Sequence, residues 1–245
     1  YAVLGNEYQI IYDLIKILSS VISVYLIFRF FSDYMSYDRA IIASFIFVLY
    51  PLHDTTLYWY MTLQYILAPA ILLYAHHLIR NNKIRKGFLV TIVGSFLSYA
   101  SPPYLFGLTV IFLYEKKLKK AIVFATPGIL YVAYYFWMKF NYAGLERRIN
   151  SDLSILDFLK QMLIQPLSFL ESAIGPSYWL KVFYAIESIG FISIIIIAMI
   201  LIFSFIRVKS FSKVRKLPKS LYIGLISVLL LSFGMFALTG LYIHS

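Results

Sequence analysis

The sequence predicts an all-α fold: a polytopic bundle of transmembrane helices with one short broken-helix hairpin and one helix lying on the outer membrane surface. Three observations lead there. Hydrophobic residues make up 61% of the chain and charged residues 13%, with a mean hydropathy of +0.80, which is more apolar surface than one soluble core hides. The apolar residues come in runs, several of them long enough for a bilayer core of about 30 Å that takes roughly 20 helical residues. The cations cluster in short segments between those runs, as they do in cytoplasmic loops.

Taken in order, the runs place six or seven full spans and some short ones near 8–31, 39–52, 60–79, 87–100, 104–115, 121–140, 182–206 and 220–243. The pieces 87–100 and 104–115 are too short for a relaxed crossing, and Ser101-Pro102-Pro103 lies between them. Proline disfavours a continuing helix, so the pair is expected to form a hairpin whose Ser101–Tyr104 tip sits below the outer surface. Three basic loops set the orientation: Arg80, Lys83, Arg85 and Lys86; Lys116, Lys117, Lys119 and Lys120; and the cations from Arg207 to Lys219. All three belong on the cytoplasmic side, with His76 and His77 close to it. His53, Asp54, the hairpin tip and the long segment 141–181 then share the extracytoplasmic face. Within that segment, 151–172 is expected to be an interfacial helix capped by Asn150 or Ser151, with Leu153, Leu156, Leu159 and Leu163 along one side and Pro166 kinking or ending it.

The net charge of +11 is accounted for by topology. It does not point to a nucleic-acid partner, because the basic residues sit in short loops with no domain to shape them. No internal repeat at a fixed period stands out, and no soluble part is long enough to fold alone. The absence of cysteine removes disulfides, thiolate metal sites and cysteine nucleophiles.

The most informative stretch is Tyr50-Pro51-Leu52-His53-Asp54-Thr55-Thr56-Leu57-Tyr58-Trp59, a polar break between two apolar runs. Ionisable residues at such a place are functional candidates. Asp54 has two roles open to it, a functional carboxylate or the cap of a helix beginning near Thr55. His53 suits an orienting role better than metal ligation, since no second ligand follows at helical spacing. Asp13 and Lys16 are three apart on one helix and can neutralise each other. Arg147 and Arg148 can bind a phosphate, anchor to anionic lipid or pair with nearby acids.

Residues 8–80 resemble the GT-C superfamily of polyprenyl-phosphate-sugar-dependent glycosyltransferases, especially the branch using dolichyl-phosphate mannose. That family carries a span with an Asn and terminal basic residues, then a short apolar run ending in a His-Pro-x-His-x-Glu-Ala-Val-x-Trp-like stretch. Here Asp13 falls where the Asn is usual, Tyr25 and Arg29 fit the end of the span, and Pro51, His53 and Trp59 match the later stretch. The acid is displaced, with Thr55 at the usual Glu position and Asp54 before it. The resemblance implies an integral membrane enzyme, in a cell membrane or an endoplasmic-reticulum-type membrane, that moves a sugar from a polyprenyl-phosphate donor to an acceptor on the extracytoplasmic face. It implies Asp54 and His53 as catalytic residues and Arg147, Arg148, Tyr104, Trp59 and Asp13 as substrate-binding residues. A divalent cation is an optional aid, and membrane lipids and other membrane proteins are the expected partners. Because the family's principal acid lies in an outer loop after a first span, it is expected upstream of residue 1. Two other functions fit the same composition: a non-catalytic scaffold subunit of a membrane complex, and a transporter or flippase for a lipid-linked sugar.

Overall fold

The structure, a computed structural model, describes residues 9–49, 63–142, 154–188 and 216–239, with isolated positions between 190 and 202. The elements formed by the described residues are all α-helices: α1 (Gln9–Phe31), α2 (Tyr37–Leu49), α3 (Gln64–Arg80), α4 (Ile84–Leu97), α5 (Ser101–Tyr114), α6 (Leu118–Asn141), α7 (Ile155–Ile174), α8 (Pro176–Ser188) and α9 (Lys219–Thr239). Helices α1, α6 and α9 are long and apolar enough to cross a membrane. The expected span 182–206 falls largely outside the described residues.

Helix α3 is the centre of the packing, in contact with α1, α4, α5 and α6. Its sequence shows why, being apolar or small around its whole circumference, with Ile66, Ala68, Ala70, Leu72, Ala75 and Ile79 all fully buried. Around it, Ile27 and Phe30 from α1, Leu105, Leu108, Ile111 and Phe112 from α5, and Phe124 from α6 complete one core. Helix α9 packs on α5 and α7, and α8 folds back on α7.

The hairpin tip differs from expectation. Ser101, Pro102 and Pro103 do not interrupt a helix but begin α5, and the break lies at Ser98–Ala100, where Ser98 is extended. Proline lacks the N–H that a first helical turn leaves unbonded anyway, so it favours starting a helix. The two arms α4 and α5 have 14 residues each, about 21 Å at 1.5 Å per residue, short of a bilayer core.

Two turns share one geometry here. Helices α3 and α5 end in the same way, with Asn82 and Lys116 in the left-handed region at φ 61° and 57°. In the first turn the Asn82 amide donates to Ile79 O (3.2 Å) and the Lys83 amide to Leu78 O (2.9 Å). In the second, Lys116 donates to Leu113 O (3.0 Å) and Lys117 to Phe112 O (2.8 Å). Both are the paired bonds of a Schellman ending. The α3–α4 and α5–α6 turns therefore share one geometry, and aligning them matches Tyr65 with Tyr99, Pro69 with Pro103, Lys83 with Lys117, Lys86 with Lys120 and Gly94 with Gly128.

Helix α7 also starts later than expected. Its cap is Ser154, whose hydroxyl accepts from the Asp157 amide at 3.1 Å and donates to the Asp157 carboxylate at 2.6 Å, a reciprocal cap of the Ser-x-x-acid type. Pro166 stays inside the helix, which runs on to Ile174. Its two faces are inverted for a soluble protein: Gln161, Gln165 and Ser168 are buried while Leu156, Leu159, Leu163 and Leu167 are exposed. A leucine stripe turned away from the protein suits a lipid surround.

Contact between α5 and α9 depends on close backbone approach. A Cβ on Gly107 would stand 2.5 Å from the Val228 amide nitrogen, and one on Gly224 would collide with the Ile111 side chain. Small residues of this kind let membrane helices pack without side-chain spacers. Gly107→Val is expected to lower stability by at least about 1–3 kcal/mol, the usual cost of overpacking, because the obstruction is backbone and cannot rotate away. Thermal unfolding of the detergent-solubilised protein checks this, and a midpoint equal to wild type would show that the two helices are not held at this distance.

Candidate functional site

The bundle has two ends of opposite character. At one end the turns after α3 and α5 meet the start of α9. Arg80 Nη1 donates to both Glu115 carboxylate oxygens at 2.7 and 2.9 Å, Lys117 Nζ to Oε2 at 2.6 Å and Ser220 Oγ to Oε1 at 3.0 Å. Lys120 Nζ donates to the Arg80 carbonyl at 2.7 Å, joining α6 to the same node. Arg80 also donates to the Tyr34 hydroxyl at 3.0 Å and lies 4.5 Å above its ring. Burial alone would raise the Glu115 pKa, but hydrogen bonds from Lys117 and Arg80 outweigh it and hold the carboxyl at about 2. The Tyr34 phenol is pushed up by burial, against the lowering influence of Arg80.

Beside this node is a second polar group. His77 Nδ1 is 2.9 Å from Asp33 Oδ2 and Nε2 is 3.2 Å from Arg29 Nη2. A guanidinium only donates, so Nε2 accepts and Nδ1 carries the proton given to Asp33. Asn81 Nδ2 donates to Asp33 Oδ1 at 3.1 Å. Both ring nitrogens of His77 are thus engaged, and the pair clamps α1 to α3 rather than presenting a base to a substrate. His76 is fully buried, stacked on Phe112 at 4.1 Å and ringed by Phe30 and Phe124. The sequence reading placed both histidines near this end but missed the cluster, whose only signal was the helical spacing of Arg29 with Asp33 and of His77 with Asn81.

At the opposite end, α5 begins and α9 finishes. An apolar cleft of about 410 Å³ opens there, lined by Pro102, Pro103 and Phe106 of α5, Phe158 and Met162 of α7, and Gly234 of α9 among others. Such walls suit a hydrocarbon chain and supply no acid or base. Tyr104 is half-buried in the same first turn of α5 and packs against the core. Tyr65, at the start of α3, donates from its hydroxyl to that of Tyr99 at 3.0 Å, fastening the start of α3 to the hairpin tip.

Of the residues singled out from the sequence, His53, Asp54, Trp59, Arg147 and Arg148 lie outside the described residues. Asp13 pairs with Lys16 inside α1 at 2.6 Å, and α1 packs on α2 and α3, whereas Tyr104 belongs to α5. No three His, Asp or Glu side chains among the described residues are grouped to hold a metal ion.

Replacing Glu115 by Gln should lower stability at neutral pH by about 1–2 kcal/mol, between the values for exposed and buried ion pairs. The pH dependence has a definite sign. A carboxyl whose folded pKa is depressed to about 2 from 4.5 gives stability that is complete above pH 4.5 and lost as the pH falls toward 2. Glu115→Gln should flatten the unfolding profile over that window, and an unchanged acid limb would remove Glu115 from the account. No family model matches the chain, and neither the curated proteins nor the solved structures provide a match.

Proposed function

We propose that the chain is a polytopic transmembrane bundle, in a cell membrane or an endoplasmic-reticulum-type membrane, that transfers a sugar from a polyprenyl-phosphate donor to an acceptor at its extracytoplasmic end. The basic turns mark the cytoplasmic end, the short hairpin α4–α5 presents its tip to the other side, and α7 lies with its leucine stripe in lipid. One observation carries this reading. The Tyr65–Tyr99 hydrogen bond ties the residues that directly follow segment 50–62 to the hairpin tip beside the apolar cleft.

Chain connectivity strengthens it. Helix α6 runs away from the basic turns to Tyr142, and α7 restarts at Ser154, one turn before the cleft residue Phe158. The described residues that flank the two polar segments of the sequence, Leu63 after the first and Tyr142 and Ser154 on either side of the second, therefore lie toward the cleft end. In this proposal a polyprenyl chain occupies the cleft and its phosphate is met by the side chains of those segments. The acceptor hydroxyl then attacks the anomeric carbon, the bond from that carbon to the phosphate oxygen breaks, and the hydroxyl proton passes to a carboxylate. Asp54 orients the acceptor or the donor phosphate, His53 adds a hydrogen bond, and the guanidinium groups of Arg147 and Arg148 neutralise the departing phosphate.

The test is transfer from a labelled polyprenyl-phosphate sugar by the full-length protein in vesicles. Asp54→Asn should reduce turnover by about 10²-fold or more with membrane insertion intact, since Asn preserves a helix cap. Gly234→Phe, which fills the cleft, should raise the donor KM. If Asp54→Asn transfers sugar at the wild-type rate, Asp54 is a cap and the catalytic assignment falls. Donor bound without any turnover would favour the scaffold.

A further inference from the structure

The basic end holds more positive charge than its internal pairs use. Arg80, Lys117 and Lys120 are committed to Glu115 and to the Arg80 carbonyl. Lys83, Arg85 and Lys86 from the first turn, Lys116 and Lys119 from the second, and Lys219 at the start of α9 are exposed. None of these six is in an ion pair among the described residues. They are brought to one surface by two features: the left-handed turns, which are joined at the same end of the bundle through Arg80, and the Glu115 node, which locks the second turn to α9. Like charges gathered on one surface repel one another, so the surface calls for an anionic partner.

Its surroundings identify that partner. In the helical turns next to the cations, Leu89 on α4 and Leu118 and Ile122 on α6 are 63%, 61% and 57% exposed. An apolar collar bordered by cations has the layout of a bilayer edge, with acyl chains against the leucines and headgroup phosphates against the ammonium and guanidinium groups. We propose that the convergent turns form a docking surface for anionic phospholipid headgroups of the adjoining leaflet. The surface selects these over zwitterionic lipids by charge, and bound headgroups hold the α3–α4 and α5–α6 hairpins together. The proposal needs the helices to sit in a bilayer and does not depend on sugar transfer.

The experiment is electron paramagnetic resonance of the full-length protein in phosphatidylcholine vesicles carrying trace spin-labelled phosphatidylglycerol or spin-labelled phosphatidylcholine. The motionally restricted population should favour phosphatidylglycerol by about fivefold, the factor one well-placed cation supplies. That preference should fall toward one in about 1 M salt, where the screening length is about 3 Å. The combined variant Lys83→Gln, Lys86→Gln, Lys116→Gln and Lys119→Gln should lose it, and the same four positions changed to Arg should keep it, which separates lost charge from lost folding. Equal restriction of the two lipids by the wild-type protein overturns the proposal, as does a preference that survives in the Gln variant. Loss of the preference on adding inorganic phosphate at constant ionic strength would assign the surface to free phosphate and overturn it as well. Protein that fails to enter the vesicles at all would refute the membrane reading instead.

Discussion

One carboxylate organises the basic end of this molecule. Glu115 stands just beyond a helix that carries no charged residue, and it accepts from Arg80, Lys117 and Ser220. A charge taken partly from water needs such partners to remain ionised. Those partners come from the end of α3, the turn after α5 and the start of α9, and Lys120 brings in α6 through the Arg80 carbonyl. Helices α4 and α5 are short, and hydrophobic pressure alone does not fix the relative height of helices in lipid. The ion pair sets the height of the second turn against α3 and α9, alongside the Gly107–Val228 approach and the core around α3.

The opposite end is held differently. There the contacts are apolar or neutral, with Phe169 meeting Phe233 edge to face at 5.8 Å and Tyr65 bonded to Tyr99. Weaker, less directional packing suits the passage of a lipid chain that the proposed function calls for. The bundle thus has one end fixed by charged hydrogen bonds and one built of apolar packing around a cleft.

The all-helical class and the presence of membrane-length apolar helices were legible in the sequence because apolar runs are coarse features that survive any local error. Boundaries were less so. Ser101-Pro102-Pro103 reads as the interruption between two helices, whereas proline at a first turn starts one, and the cap of α7 is Ser154 with Asp157 rather than the expected Asn150 or Ser151. The polar clusters were hidden by distance along the chain: Asp33 and His77 are separated by 44 positions and Glu115 and Ser220 by 105, so no local pattern announces either contact. The shared geometry of the turns after α3 and α5 has no local signature either, since the left-handed residue is Asn82 in one and Lys116 in the other. Of the candidate site, Tyr104 packs against the core, while the neighbouring Pro102 and Pro103 line an apolar cleft, and Asp13 pairs with Lys16 within its own helix.

The account stands on the two ends of the bundle facing opposite sides of a bilayer. Helix α6 tests this most directly, since it connects them without a break from Leu118 to Asn141. The chain has no cysteine, so Lys116→Cys and Tyr142→Cys each introduce a single thiol at an exposed position flanking that helix. In sealed, uniformly oriented vesicles, a membrane-impermeant maleimide should label one position from outside and reach the other only after permeabilisation. Labelling of both positions from the same side would contradict the account.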